Sequence, residues 1–576
     1  MTNAPHGTTD HFCDTLCPHH GGLPIIDPRS VSGHLGYRRD ERAKKFPFLA
    51  ALQERVLIYD GGFGTELFKF DLGPSDLGTG KQDGCVELIH RTRPEIAPAI
   101  HRKYFAAGAD VVETHSFNAQ PHSLSEFGIA EQAEELSELA ARAARSAADD
   151  YSTKERPRFV AGALGSGTKM PSLNLIQWDK LFDSYRVGAR GLLKGGADLL
   201  LIETSQDILQ VKCAVLASRQ AMADVGREVP IQAQVTIETT GTMLAGTDIA
   251  GALAAMEAMP IDIIGLNCAT GPDLMDSHIR YLAEHATRWV SCLPNAGLPR
   301  NVSGKAVYDL TPAELAKWHQ KFVNTYGVNL VGGCCGTTPD HIKAVAYVLG
   351  GVQPGQQRRT VFPAQLSSLY SATTLKQDTG ILIIGERTNS TGSKAFRELL
   401  FKDDWDGMVH MAQEQVAEGA HVLDVSVAWT GRDEKRDMDE VMKRFATAVN
   451  IPIMVDSTQN DVLEIALKHL GGRAIINSVN LEDGEEKFDA VCNLARKYGA
   501  ALVALTIDED KEAGMAKTVE RKVAIAERMY RRITEHHGLP GSGILFDLLT
   551  FPITQGDEDT RKLGLWTLDG IEQVKA

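Results

Sequence analysis

At 576 residues the chain exceeds what one hydrophobic core organises, so two or more domains of roughly 100 to 300 residues are expected. A formal net charge of −15 repels phosphates, which argues against nucleic acid and anionic membranes and leaves small molecules and proteins as partners. No apolar run reaches the ~18 to 20 residues of a membrane span and no basic-then-apolar leader opens the chain. Nine thinly spread cysteines fit free thiols in a reducing, cytoplasmic setting better than a disulfide framework.

Residues 1–45 carry Cys13, Cys17, His19 and His20 among Pro, Gly and Asp without helical or alternating period. The Cys spacing is long for a zinc module, so a flexible tail is the expectation. From Phe46 the pattern becomes regular. Short apolar runs begin at Val56, Ala109, Arg158, Ala197, Pro230, Asp262, Trp289 and Asn329, with helix-length segments between them. Eight strand–helix units with nearly continuous apolar strands predict a closed (β/α)8 barrel over residues 46–349.

Chemistry in such barrels sits at the C-terminal strand ends. Here those ends carry Asp60, Glu113 with Thr114, Glu203, Cys268, Asn295 and the pair Cys334-Cys335. The plain reading of a cysteine is a small buried hydrophobe, and it suits Cys85, Cys213, Cys292 and Cys492. Cys268, Cys334 and Cys335 instead converge on one mouth, where three thiolates suit an open zinc site. Zinc with three thiolates carries a net charge of −1, so it generates hydroxide poorly but binds and deprotonates a thiol. Glu113 and Glu203 have a duller reading as rim ion pairs, with substrate contact favoured for Glu203.

The runs Asp60-Gly61-Gly62-Phe63-Gly64-Thr65, Glu113-Thr114-His115-Ser116, Glu203-Thr204-Ser205-Gln206-Asp207, Gly265-Leu266-Asn267-Cys268, Pro294-Asn295-Ala296-Gly297 and Gly332-Gly333-Cys334-Cys335-Gly336 resemble the homocysteine S-methyltransferase domain. The resemblance implies that Cys268, Cys334 and Cys335 hold zinc and that the homocysteine sulfur becomes the fourth ligand. It also implies that Asp60 and Glu203 hold the amino-acid end, with Thr114 and Asn295 as further substrate contacts.

Residues 350–380, rich in Gln, Ser and Thr around Pro354 and Arg358-Arg359, read as an interdomain linker. A second alternating pattern follows over residues 381–576, with strands expected at 381–385, 422–427, 451–455, 474–478, 501–507 and 544–549. Six strand–helix units leave this second (β/α)8 barrel incomplete, so a truncated frame is expected. Glu386, Asn389, Asp424, Asp456, Asn477, Asp508 and Asp547 mark its strand ends. Such amides and carboxylates either cap the next helix or pair with the edge of a flat heterocycle.

Gly385-Glu386-Arg387-Thr388-Asn389, Leu423-Asp424-Val425, Val455-Asp456-Ser457 and Ile476-Asn477-Ser478 resemble the pterin-binding domain that methylfolate:corrinoid methyltransferases share with dihydropteroate synthase. That implies methyltetrahydrofolate contacts from Glu386, Asn389, Asp456, Asn477 and Asp547. The order of the two domains resembles the N-terminal half of the cobalamin-dependent methionine synthase family. It implies methyl transfer from methyltetrahydrofolate through methylcobalamin to homocysteine. No Asp-x-His-x-x-Gly corrinoid run occurs in the sequence, so the expectation is a cobalamin-binding domain or protein outside this chain. Two alternatives stay open: a cobalamin-independent thiol methyltransferase using a betaine or sulfonium donor, and a non-catalytic binding module.

Overall fold

The computed structural model describes residues 39–302, 305–353, 364–512, 514–550 and 558–576. The Cys13/Cys17/His19/His20 cluster lies outside them. Eight parallel strands form the first sheet: β1 (Leu57–Ile58), β2 (Val111–Glu113), β3 (Phe159–Leu164), β4 (Leu199–Ser205), β5 (Ile231–Val235), β6 (Ile263–Asn267), β7 (Trp289–Leu293) and β8 (Leu330–Val331). Each pairs with its sequence neighbour, β1 pairs with β8, and a parallel bridge from Tyr59 to Val111 joins β1 to β2 and closes the barrel. Closure removes every sheet edge, which is why β1 and β8 hold with only two residues each.

The barrel interior is layered. At the N-terminal end, Phe46, Phe48, Leu49 and Leu52 pack into Leu57, Val111, Phe159, Leu199, Ile263 and Leu330 and plug the floor. Above them lies a hydrogen-bonded polar layer: the Tyr59 hydroxyl donates to Gln232 (2.7 Å), and Gln232 and Gln234 both donate to the Ser291 hydroxyl (3.3 and 2.9 Å), while the Gln234 side-chain oxygen has no protein partner among the described residues. A side chain at Gly265 would overlap Ser291, and one at Gly332 would overlap Tyr59. These glycines let the strands approach at that level.

The tail expectation needs correction at its end, since Arg39–Lys45 form a helix. Arg42, 2% exposed, donates twice to Asp262 (2.7 and 2.8 Å) and once to Glu228 (3.1 Å). Seven residues are too few to show a helical period, so the sequence signal was a single arginine whose partners lie far along the chain.

The second sheet runs in sequence order through β9 (Ile384–Gly385), β10 (Val422–Val425), β11 (Ile453–Asp456), β12 (Ile475–Val479), β13 (Ala501–Leu505) and β14 (Ile544–Asp547), all parallel. Among the described residues it is a six-stranded part-barrel. Its floor is closed by the stretch read as linker: a hairpin of Gln365–Ser367 and Ala372–Thr374 sets Leu366 against Val422, Met454, Ile475, Ala501 and Val503. Both barrels are thus plugged from below by the segment that precedes their first strand.

The two barrels share one packed interior. The helix Ile208–Val225 is buried along nearly its whole length, one side on the first barrel and the other under residues 470–472. The Lys212 ammonium, 2% exposed, donates to the carbonyls of Leu470 (2.8 Å) and Gly472 (3.0 Å). Burial alone pushes its pKa down to about 7. Lys212→Ala strips the donor from both carbonyls, and an expected loss of about 2–4 kcal/mol should appear as a lower urea midpoint. An unchanged midpoint would show that the lysine does not hold the barrels together.

Candidate metal centre and pterin mouth

At the upper rim of the first barrel, β6 and β8 deliver the three cysteines. Their sulfurs all lie within 4.8 Å of one another, and Cys268 Sγ is 3.9 Å from Cys335 Sγ. Ligands about 2.3 Å from a tetrahedral zinc stand about 3.8 Å apart, so the spacing fits one ion with the fourth position open. The backbone holds each cysteine in place. The Cys334 amide donates to the Pro294 carbonyl (2.8 Å), the Cys335 amide to Asn295 Oδ1 (3.0 Å), and the Cys268 amide to the Leu293 carbonyl (3.1 Å). Cys268 and Ala269 have φ of 60° and 55°, a left-handed turn that L-residues rarely adopt. Strain of this kind persists at functional sites when the surroundings over-determine it.

Without a metal the cluster holds its protons unevenly. Hydrogen bonds from Cys268 and Cys334 hold the Cys335 thiol down at about 3. Hydrogen bonds with Cys268 and Cys335 push Cys334 well above the ordinary thiol range. For Cys268 the hydrogen bond with Cys334 lowers the thiol, but the one with Cys335 and burial outweigh it and leave it at about 11. Three thiolates this close repel one another, so the full donor set suits a cation.

The neighbouring carboxyls add to that demand. Asp60 is 1% exposed and accepts the Glu113 amide with both oxygens (3.1 and 3.2 Å). Burial pushes both Asp60 and Glu113 well above the carboxylate range, and Glu113 is raised further by Glu203, Asp60 and Cys268. Glu203 is pushed up to about 8 by burial and then by Cys268. Asn267 donates to Glu203 (3.2 Å) and to the Thr204 hydroxyl (2.8 Å), while its carbonyl accepts the Thr204 amide (2.8 Å). Asp60, Glu113 and Glu203 thus form a buried acidic wall beside the sulfurs, suited to an ammonium group as well as a metal.

Other expected residues have different placements. The Thr114 hydroxyl is committed to the framework, accepting the Ala163 amide (2.9 Å) and pairing with Ser116 (2.7 Å). Asn295 orients the Cys335 backbone. Cys85, Cys213, Cys292 and Cys492 are buried free thiols, as expected. Sequence reasoning gave no role to Asn267, whose signal was its place beside Cys268, or to Tyr308. The Tyr308 ring lies over Gly336, beside the cysteine pair, and its pKa is pushed up to about 12 by burial and then by the charges of Cys335, Cys268 and Cys334.

In the second mouth, Asn389 joins three strands. Its Nδ2 donates to Asp424 and Asp456 (2.8 Å each), and its Oδ1 accepts the Thr391 amide and hydroxyl (3.0 and 2.6 Å). Asn477 donates to the other Asp424 oxygen (3.3 Å). Asp424, marked in the sequence only as a strand end, is therefore the hub. Glu386 acts on it by charge alone, raising its pKa after burial. Asp547, on the edge strand β14, is exposed, and one of its oxygens accepts the Leu549 amide (2.8 Å). A cavity of about 770 Å³ opens beside the network and is lined by Thr391, Trp429, Arg432, Glu434, Lys435 and Gln459. Polar groups from adjacent strands with a cavity alongside suit a flat, hydrogen-bonding ring.

The chain belongs to the homocysteine S-methyltransferase family, whose pattern matches residues 57–349. The pterin binding enzyme pattern matches residues 385–576. The chain is 46% identical to a methionine synthase of Mycobacterium leprae over 534 residues, 92% of this chain and 44% of that protein. It is 45% identical to a methionine synthase of Mycobacterium tuberculosis over 530 residues, again 92% of this chain and 44% of that protein. It therefore spans less than half the length of these curated relatives. Among solved structures, the metallated form of the homocysteine methyltransferase MmuM from Escherichia coli is 22% identical, covering 52% of this chain and 99% of that one, with a TM-score of 0.42. No helix among the described residues is long and apolar enough to cross a membrane.

Burial and then Asp424 push the Asp456 carboxyl up to about 6. The native state therefore binds more protons than an unfolded carboxyl between about pH 4 and 6, and stability falls as pH rises through that window. Asp456→Asn removes that loss, so its melting temperature at pH 8 should exceed wild type by on the order of 2 °C. The difference should vanish near pH 4. A lower melting temperature at pH 8 would contradict the assignment of a strained, functional carboxylate.

Proposed function

We propose that this chain carries the homocysteine-activating and methyltetrahydrofolate-binding portions of a methionine-forming methyltransferase. Residues 46–349 serve as the homocysteine unit, 350–380 as the connection and 381–576 as the pterin unit. The observation that carries the reading is the convergence of three sulfurs and a buried acidic wall on one open barrel mouth, with a second polar mouth on the same rigidly packed body.

Cys268, Cys334 and Cys335 would hold zinc, which when bound supplies a Lewis acid that keeps a substrate thiol as thiolate at neutral pH. The chain's own residues do the rest. Asp60 and Glu203 bind the ammonium end of homocysteine, and Asn267 keeps the Glu203 carboxyl aimed into the mouth. Asn295 fixes the loop bearing Cys335, so the substrate sulfur meets a preset geometry. Thr114 takes part as a framework residue beneath the substrate.

At the second mouth, Asn389, Asp456 and Asn477, organised by Asp424, bind the pterin edge, with Glu386 and Asp547 flanking it. A methyl on the pterin N5 leaves readily only when that nitrogen is protonated or strongly hydrogen-bonded. Asp456, protonated to higher pH than an ordinary carboxyl, is suited to that duty. In this reading methylcobalamin, supplied by a cobalamin-binding domain or protein outside this sequence in a cytoplasmic setting, would carry the methyl group from the second mouth to the first. A betaine- or sulfonium-dependent methyltransferase would leave the second mouth without a role.

Two substitutions separate the units. Cys334→Ser should abolish stoichiometric zinc binding and homocysteine methylation while methyltetrahydrofolate binding stays unchanged. Asn477→Ala should weaken methyltetrahydrofolate binding about tenfold or more and leave zinc content intact. Zinc retained at wild-type affinity in Cys334→Ser would sink the metal assignment, and unaltered folate binding in Asn477→Ala would sink the pterin one.

A further inference from the structure

The cavity beside the second mouth offers more room than a pterin alone fills. A pterin is one flat bicycle, whereas about 770 Å³ lies in the upper half of the range that takes a whole drug-sized ligand. The cavity adjoins the proposed pterin contacts. Thr391, in its wall, donates its hydroxyl to Asn389 Oδ1 (2.6 Å), and Glu434, also in its wall, accepts the hydroxyl of Ser457, the residue after Asp456 (2.6 Å). A molecule whose bicycle sits in the Asn389–Asp456 network, and which is longer than that bicycle, continues into this space.

The charged groups of the wall already have partners. Arg432 donates to both oxygens of Asp437 (2.6 and 2.8 Å) and to Asp403 (2.6 Å), and Lys435 pairs with Asp461. Asp433 accepts the Arg436 amide at the start of its helix (3.3 Å), and Glu434 is held by Ser457 and Gln459 (2.6 Å each). Trp429 remains, the one aromatic ring in the described wall, and it is 38% exposed.

An exposed aromatic is ordinary by itself, but this one is fixed in advance. The Arg397 guanidinium lies 4.4 Å from the centre of the indole while its Nη1 donates to the Ser390 carbonyl (2.9 Å), and the Phe401 ring meets the indole edge-on with centroids 6.0 Å apart. The tryptophan loop is pinned by the same serine. The Ser390 hydroxyl donates to the Ala428 carbonyl (2.8 Å) and the Ser390 amide to the Ser426 carbonyl (2.9 Å). Ser390 follows Asn389 in the chain, so the indole and the pterin contacts are held in one frame. A ring ordered beforehand loses little freedom when a second ring stacks on it.

We propose that Trp429 is the platform for the aromatic ring in the tail of methyltetrahydrofolate, the p-aminobenzoyl group that links the pterin to glutamate, and is thereby a specificity-determining residue of the second mouth. The guanidinium takes one face of the indole and leaves the other for the substrate. Because the charges of the wall are already paired, the aryl ring rather than the glutamate is the part of the tail recognised here. The inference rests on the pterin reading above and deepens it.

The test compares two probes on the full chain by calorimetric titration: methyltetrahydrofolate, and 5,6-dimethyltetrahydropterin, which keeps the methylated bicycle and lacks the tail. Wild-type protein should bind methyltetrahydrofolate the more tightly. In Trp429→Leu, methyltetrahydrofolate should bind about tenfold more weakly, with the affinity for the tail-less pterin and the zinc content unchanged. Trp429→Phe, which keeps a ring, should stay close to wild type.

Unchanged methyltetrahydrofolate affinity in Trp429→Leu would overturn the proposal. So would an equal loss for both probes, which would make Trp429 a support of the pterin network. Wild-type protein that binds both probes equally would overturn this inference and leave the pterin reading standing. Wild-type protein that binds neither would overturn the two together.

Discussion

Acidic groups crowded into one largely buried barrel mouth are the constraint on which the first barrel's upper rim depends. Three thiols and three carboxyls crowd one mouth, and burial raises every one of the carboxyls. Left alone, the site keeps most of its protons. A divalent cation at the sulfurs and an ammonium at the acidic wall would reverse that balance, as the proposed function requires. The left-handed turn at Cys268 and the interlocked amides around Asn267 and Asn295 maintain that unfavourable arrangement in the absence of ligands.

The rest of the first barrel serves to make that rim rigid. Its floor is sealed by an aromatic and aliphatic plug, and its middle is a hydrogen-bonded polar layer from Tyr59 to Ser291. Glycines occur where strand and loop must approach: Gly265 and Gly332 within the barrel, and Gly336 beneath Tyr308. The second mouth follows a softer logic. Its acidic groups are balanced by two asparagines rather than by a wanted cation, which suits a neutral heterocycle. The barrels share one packed interior in which Lys212 bonds the second barrel, so in the proposed function a mobile carrier would deliver the methyl group from one mouth to the other.

Much of this was legible in the sequence. All fourteen barrel strands lie where the apolar runs predicted them; most are buried on both faces and leave a continuous apolar signal, and the two partly exposed edge strands of the second sheet were found by their apolar residues and the alternation with helices. The three cysteines were legible as a set since strand ends in a closed barrel share one rim. What escaped had short or distant causes. The helix Arg39–Lys45 depends on one arginine reaching Asp262, and the floor hairpin around Leu366 sits in a stretch with linker-like composition. Asn267 and Asp424 hold the two sites together through hydrogen bonds, which have no periodicity. Tyr308 packs over Gly336 beside the cysteine pair from a stretch that resembles any surface turn.

The central claim is that the first mouth activates a thiol for methylation by a corrinoid-borne methyl group. The direct measurement is the loss of the methylcobalamin absorbance spectrum when free methylcobalamin and homocysteine are added to zinc-replete protein, with methionine quantified in parallel. The account predicts equimolar methionine formation that stops when zinc is chelated. Zinc-replete protein that forms no methionine above the protein-free background would contradict it.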